Sequence, residues 1–159
     1  MSAIKKISLK IFFSTVLLLT FFSCLKKKRT TTVKNPNEIT SISLSDIGGS
    51  LGSYRIIRIT KDSIHSERGI AADKTHHRWD AAITPETWQN MVSAIDPNTL
   101  DKIKSSPSKQ PVDGTDETFQ IRTPKKSHVY VNSYVDNIHY KQFQKLKIRI
   151  EKILPKEYQ

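Results

Sequence analysis

Residues 39–68 read ITSISLSDIGGSLGSYRIIRITKDSIHSER, and the punctuation of this run decides the fold. Within Glu38–Ile47, Ile42 and Leu44 alternate with serines, which is the period of a strand with one buried face. Gly48-Gly49-Ser50-Leu51-Gly52 then supplies a tight bend, since glycines adopt the conformations such a reversal needs. Tyr54-Arg55-Ile56-Ile57-Arg58-Ile59, inside Ser53–Thr60, is rich in β-branched residues and predicts a second strand. Lys61-Asp62 turns it into a third, Ser63–Arg68, closed by Gly69. Strands joined by links this short must run antiparallel, because a parallel pair needs a crossover of a dozen residues or more.

Towards the C-terminus, Thr75–Ala82 predicts a fourth strand with Trp79 facing the core. Thr84-Pro85-Glu86 is a helix start: Thr as cap, Pro at the first helical position, an acid in the first turn. Trp88, Met91, Val92 and Ile95 then recur at helical spacing as one apolar stripe, ended by Asp96-Pro97. Leu100 and Ile103 suggest one further helical turn before the loop Ser105–Gly114. Thr118–Thr123 and His128–Tyr134 form a hairpin about Pro124-Lys125-Lys126-Ser127, with Phe119, Ile121 and Thr123 on one face of the first strand and Val129 and Val131 on one face of the second. Phe143, Leu146, Ile150 and Ile153 give a closing helix over Ile138–Leu154, with Lys141, Lys145, Arg149 and Lys152 on its remaining surface. The order strands, helix, strands, helix predicts an α+β fold: an antiparallel sheet of five to six strands with two helices packed on one face.

Towards the N-terminus the chain changes character. Met1–Lys10 carries three lysines and no acid, and Ile11–Phe22 is almost wholly apolar. A charged start, a short apolar run and a small residue make the layout of a secretory signal, and the run is shorter than the ~20 residues that span a bilayer. Phe21-Phe22-Ser23-Cys24 resembles a lipobox, the site where lipoprotein signal peptidase cuts before an acylated cysteine, with Phe21 standing where that motif usually carries Leu. The resemblance implies cleavage between Ser23 and Cys24, and acylation, palmitate included, on the Cys24 thiol. Cys24 is the only cysteine, so no intramolecular disulfide can form. Leu25–Pro36 reads LKKKRTTTVKNP, too polar to bury anything, and predicts a disordered basic tether. The expected organisation is therefore 1–23 signal peptide, 24–37 acylated cysteine and tether, 38–159 one α+β domain.

The charge follows this division. Removing Lys5, Lys6 and Lys10 with the signal lowers the formal net charge from +11 to +8, and leaving out Lys26, Lys27, Lys28 and Arg29 lowers it to +4. Basicity sits beside the anchor, which suits anionic head groups and argues against nucleic acid as a partner. The composition resembles that of Bacteroidetes lipoproteins, but the Lys-rich run is unlike their acidic surface-export signal. Leu25 likewise differs from the Asp of an inner-membrane retention signal, so the expected address is the periplasmic side of the outer membrane.

Chemistry-bearing residues are sparse. His76 and His77 are adjacent, so on a strand they point to opposite faces and cannot share a metal. No HExxH spacing is present. Asp113-Gly114-Thr115-Asp116-Glu117 lacks the alternating oxygen ligands of a calcium loop and reads as a polar turn. An enzyme or ligand-binding protein acting on an envelope component would need His65, His76 or His77 to converge with Asp80. The residues call for no metal and no cofactor. The order of strand, Gly48-Gly49…Gly52 bend, Trp88-bearing helix, hairpin and closing helix over residues 39–154 resembles the layout of emfourin-type inhibitors of metalloproteases. That resemblance implies a non-catalytic module binding a protein partner, here beside a membrane to which Cys24 holds it.

Overall fold

The computed structural model describes residues 35–159. The expectations for the signal peptide, Ser23, Cys24 and most of the tether lie outside the described residues. Residues 35–159 form one compact unit. Six strands build it: β1 (Ser41–Gly48), β2 (Ser53–Thr60), β3 (Ser63–Ile70), β4 (Thr75–Ala82), β5 (Thr115–Arg122) and β6 (Ser127–Val131). They lie in the order β4-β3-β2-β1-β5-β6, every neighbouring pair antiparallel. Helices α1 (Pro85–Val92) and α2 (Tyr140–Ile153) cover one face. The α+β expectation is correct, with six strands.

The register explains the core. Leu44 lies between Ile57 and Phe119, and Ile42 between Ile59 and Ile121, all of them fully buried or nearly so. Ile59 continues the row to Ile64 on β3. Onto these rows α1 sets Trp88 and Met91, while α2 sets Phe143, Leu146 and Ile150. The Phe143 ring stacks on Phe119 with centroids 4.4 Å apart. Each such side chain contributes about 1.5–3 kcal/mol by leaving water.

Local signals behave as their chemistry dictates, with a few differences, the first being that β3 is not closed by Gly69 but runs through it to Ile70, Gly69 pairing with His76. Thr84 caps α1 by accepting from the Thr87 N–H, with Pro85 at the first turn. α1 stops at Val92, yet i→i−3 bonds from Ala94 and Ile95 continue the coil, so Ile95 still joins the core. Leu100 lies in a 3₁₀ helix, Pro97–Lys102, and Ile103 just beyond it; Pro97 starts the helix and the Asp96 side chain caps it. The strand in the 118–123 region begins earlier, at Thr115. On β6 Val129 and Val131 do share one face, and it is the open one: Phe119 pairs with Tyr130, so Tyr130 points inward, donates its O–H to Leu100 O at 2.6 Å and leaves Val129 53% exposed. The aromatic ring fills more core than a valine, which decides the register.

The apolar rows stop one pleat short of the sheet's end. There a polar row crosses five strands on the helix side: His77, Arg68, Arg55, Asp46 and Glu117. α2 covers only part of it, through Glu151 to Arg55 at 2.8 Å and through Lys147 and Tyr140 to Glu117. Among the described residues no helix is long and apolar enough to cross a membrane.

Candidate functional site

The end of the sheet bearing that polar row also gathers the molecule's unusual backbone. Among the described residues positive φ angles occur at Gly48, Gly49, Gly52, Lys74, Asp113 and Asn132, and all six lie at this end. Left-handed conformations at non-glycine residues cost free energy and persist only where surrounding contacts hold them. Here the holding contacts join three connections distant in sequence. Ala71 and Ala72 N–H groups donate to Gly52 and Leu51 carbonyls, and Gly49 N–H donates to Gly114 O. Gln110 Nε2 donates to Ile47 O. The β1–β2 bend, the β3–β4 turn and the segment before β5 thus form a single tip.

Asp116 is its buckle. The carboxylate is buried and accepts from Lys109 N–H at 2.7 Å, Ser108 O–H at 2.5 Å and Asn132 Nδ2 at 2.7 Å. The Lys109 N–H, followed by the Ser108 hydroxyl, holds its carboxyl below the usual carboxylate range. Of the 113–117 acidic run only Asp113-Gly114 is a turn; Thr115, Asp116 and Glu117 already belong to β5, and Asp116 works there as a structural anion. Two large apolar side chains project from the tip: Leu51 at 57% exposure and Val112 at 80%. Pro111, Ala71 and Ala72 are exposed around them.

On the helix side the tip borders a cleft of about 520 Å³, lined by Asp46, Ser53, Arg55, Arg68, Thr75, His77 and Gln159 among others. Arg55 is neutralised from both sides, by Asp46 and Glu151 at 2.8 Å each. Arg68 instead sits over the Tyr158 ring, 5.6 Å from its centroid, and among the described residues no carboxylate lies within salt-bridge distance of it. The cleft therefore offers one cation, hydroxyls from Ser53 and Thr75, and the exposed His77.

The histidines divide between the two faces. His65, His76 and Asp80 share the open face; His77 lies on the other. On the open face His65 Nδ1 meets Asp80 at 2.7 Å, Arg78 Nε donates to Asp80 at 2.7 Å, and Tyr54 O–H pairs with His76 Nδ1 at 2.8 Å. Hydrogen bonds from Arg78, then from His65, lower the Asp80 pKa to about 2. Such a carboxylate is a poor proton donor near neutrality. Each pair joins cross-strand or same-face neighbours, which is ordinary ladder stabilisation of a solvated sheet face. Among the described residues no group of three His, Cys, Asp or Glu converges as metal ligands would.

Sequence reasoning saw the Gly48–Gly52 bend but not the tip, because Leu51, Lys74 and Val112 carry no mutual spacing in sequence. The one signal that could have pointed there was an apolar residue, Leu51, inside a glycine bend. No protein-family model matches the chain, and no curated protein matches it either.

Proposed function

We propose that the chain is an envelope lipoprotein, held through acylated Cys24 in the outer membrane and facing the periplasm, that works as a non-catalytic protein-binding module through its tip. The observation carrying the binding reading is the bracing of three separate connections around exposed Leu51 and Val112. Binding loops are effective when a rigid scaffold pays their ordering cost in advance. The described chain joins the sheet at Ser41, the far end of β1, roughly 25 Å from the tip at ~3.3 Å per residue. Attachment there leaves the tip clear. In a sharper form, the partner is a metalloprotease, the target class of the emfourin-type inhibitors whose layout the chain resembles.

The test is a cross-linked capture from native membranes, comparing the wild-type lipoprotein with Leu51→Asp/Val112→Asp. One partner at near-equal stoichiometry, lost from the double variant, is the expected result. Capture unchanged by both substitutions would remove the tip from the proposal. A panel of thermolysin-like proteases left uninhibited would end the protease form. Cys24→Ser is expected to abolish cleavage and acylation; normal processing of that variant would refute the lipid anchor.

A second reading rests on the cleft. Arg68, held over Tyr158 without a carboxylate, with Ser53 and Thr75 nearby, supports a small anionic envelope component as ligand. Saturable binding of such a ligand, lost in Arg68→Ala with Leu51→Asp unaffected, would favour this reading over the first.

A further inference from the structure

We infer that two copies of this chain associate edge to edge through β4, in a single register with Trp79 on the two-fold axis. The inference is independent of the binding role of the tip.

The two edges of the sheet are treated differently. β6 is five residues long, and its end is covered: Val131 N–H donates to Ser105 Oγ, and Val131 O accepts from Ser106 N–H. β4 runs eight residues in unbroken register with β3, without proline or bulge, and among the described residues nothing pairs with its outer side. Long regular edges are what monomeric proteins avoid.

The direction of its free groups follows from two bonds. Ala71 N–H donates to Gly52 O, and Ile83 N–H donates to Asp62 O. Antiparallel pairs alternate between bonded and non-bonded positions, so Thr75, His77, Trp79 and Ala81 turn their main-chain groups to β3. His76, Arg78, Asp80 and Ala82 turn theirs outward. A second β4 can then pair only in registers that match outward residues with outward residues.

Side-chain charge selects among those registers. Placing Trp79 opposite Trp79 sets Arg78 of one copy against Asp80 of the other, twice, and His76 against Ala82. Shifting the centre one residue either way sets Arg78 against Arg78 or Asp80 against Asp80. Arg78 and Asp80 are 62% and 51% exposed, so both can reach across. On the helix side the two Trp79 rings, already packed beside Tyr158, meet at a non-bonded pair, the position where cross-strand side chains approach most closely. The product is a continuous twelve-stranded sheet with the two tips at opposite ends. Confinement of the chains to one membrane surface raises their effective concentration and favours the pair.

Charge reversal tests the register directly. In residues 35–159, which hold the hydrophobic core cluster of the described residues, Arg78→Asp makes this stretch of β4 acidic and Asp80→Arg makes it basic. Sedimentation of the wild type is expected to show a concentration-dependent dimer. Each single variant should weaken it by at least about tenfold, because both cross-strand pairs become like-charged. An equimolar mixture of the two variants should recover the dimer, as opposite charges again meet at both positions. A wild type that stays monomeric at the highest attainable concentration would overturn the inference. So would single variants that dimerise as the wild type does, or a mixture that stays monomeric while both variants keep wild-type circular dichroism.

Discussion

Gly48 shows how a single residue holds the tip together. Its φ is +143°, and a Cβ built there would lie 2.2 Å from Gly114 O. No side chain can yield at that point, because the obstacle is backbone. Gly48→Ala is therefore expected to destabilise the fold by about 2 kcal/mol or more, read as a lowered denaturation midpoint with an unchanged slope. A wild-type midpoint would mean that the tip can relax without cost. Asp116 makes a different prediction at the same scale. Its folded pKa is held down, so its contribution is fully present above the unfolded value of about 3.9 and is lost as pH falls through the folded one. Asp136 is similar: burial pushes its carboxyl up, but N–H groups of His139, Lys104 and Ile138 outweigh that and leave it well below the ordinary range. Asp116→Asn should accordingly flatten the loss of stability between pH 5 and pH 2 in part, measured by denaturant unfolding across that range. An identical pH dependence in both proteins would show that the buckle carries no proton linkage. From sequence, Asp116 was one of a run of acids in a turn; its burial depends on Ser108, Lys109 and Asn132 folding over it.

At the scale of elements, both helices and the start of α1 were legible, and the C-terminal end of α1 was not. Thr84-Pro85-Glu86 marks the start of α1 because capping is local chemistry, and the Trp88–Met91 stripe marks its buried face. Its C-terminal end depends on where the coil meets the sheet, and there the chain tightens to i→i−3 bonds. The hairpin of β5 and β6 gives a sharper case. The valines at 129 and 131 are the better apolar pair by hydropathy, yet Tyr130 is buried, because Phe119, Tyr130 and Phe143 form one aromatic cluster under α2. Phe143→Ala should therefore cost about 3–5 kcal/mol, while Val129→Ala, on the open face, should change stability by less than about 0.5 kcal/mol. Comparable losses in the two variants, measured by urea denaturation, would contradict this assignment of faces.

For the whole molecule, the decisive contact is β1 with β5, two strands that lie 67 residues apart where Gly48 pairs with Thr115 and 81 apart where Ser41 pairs with Arg122. It closes the sheet around the core, and all its residues lie within residues 35–159. A chain beginning at Asn35 is expected to unfold in one cooperative transition, with coincident fluorescence and circular dichroism curves. Separate transitions would mean that the preceding residues complete the core. The sequence by itself determined the strand and helix types, the glycine bend and the α+β order, because hydrophobic period, caps and turns are properties of neighbours in the chain. Only the tertiary structure decided which face of β6 is buried, that β1 lies between β2 and β5, and that three distant connections meet in one braced tip. Those outcomes depend on register and on contacts between residues dozens of positions apart, for which a single sequence carries no local signal.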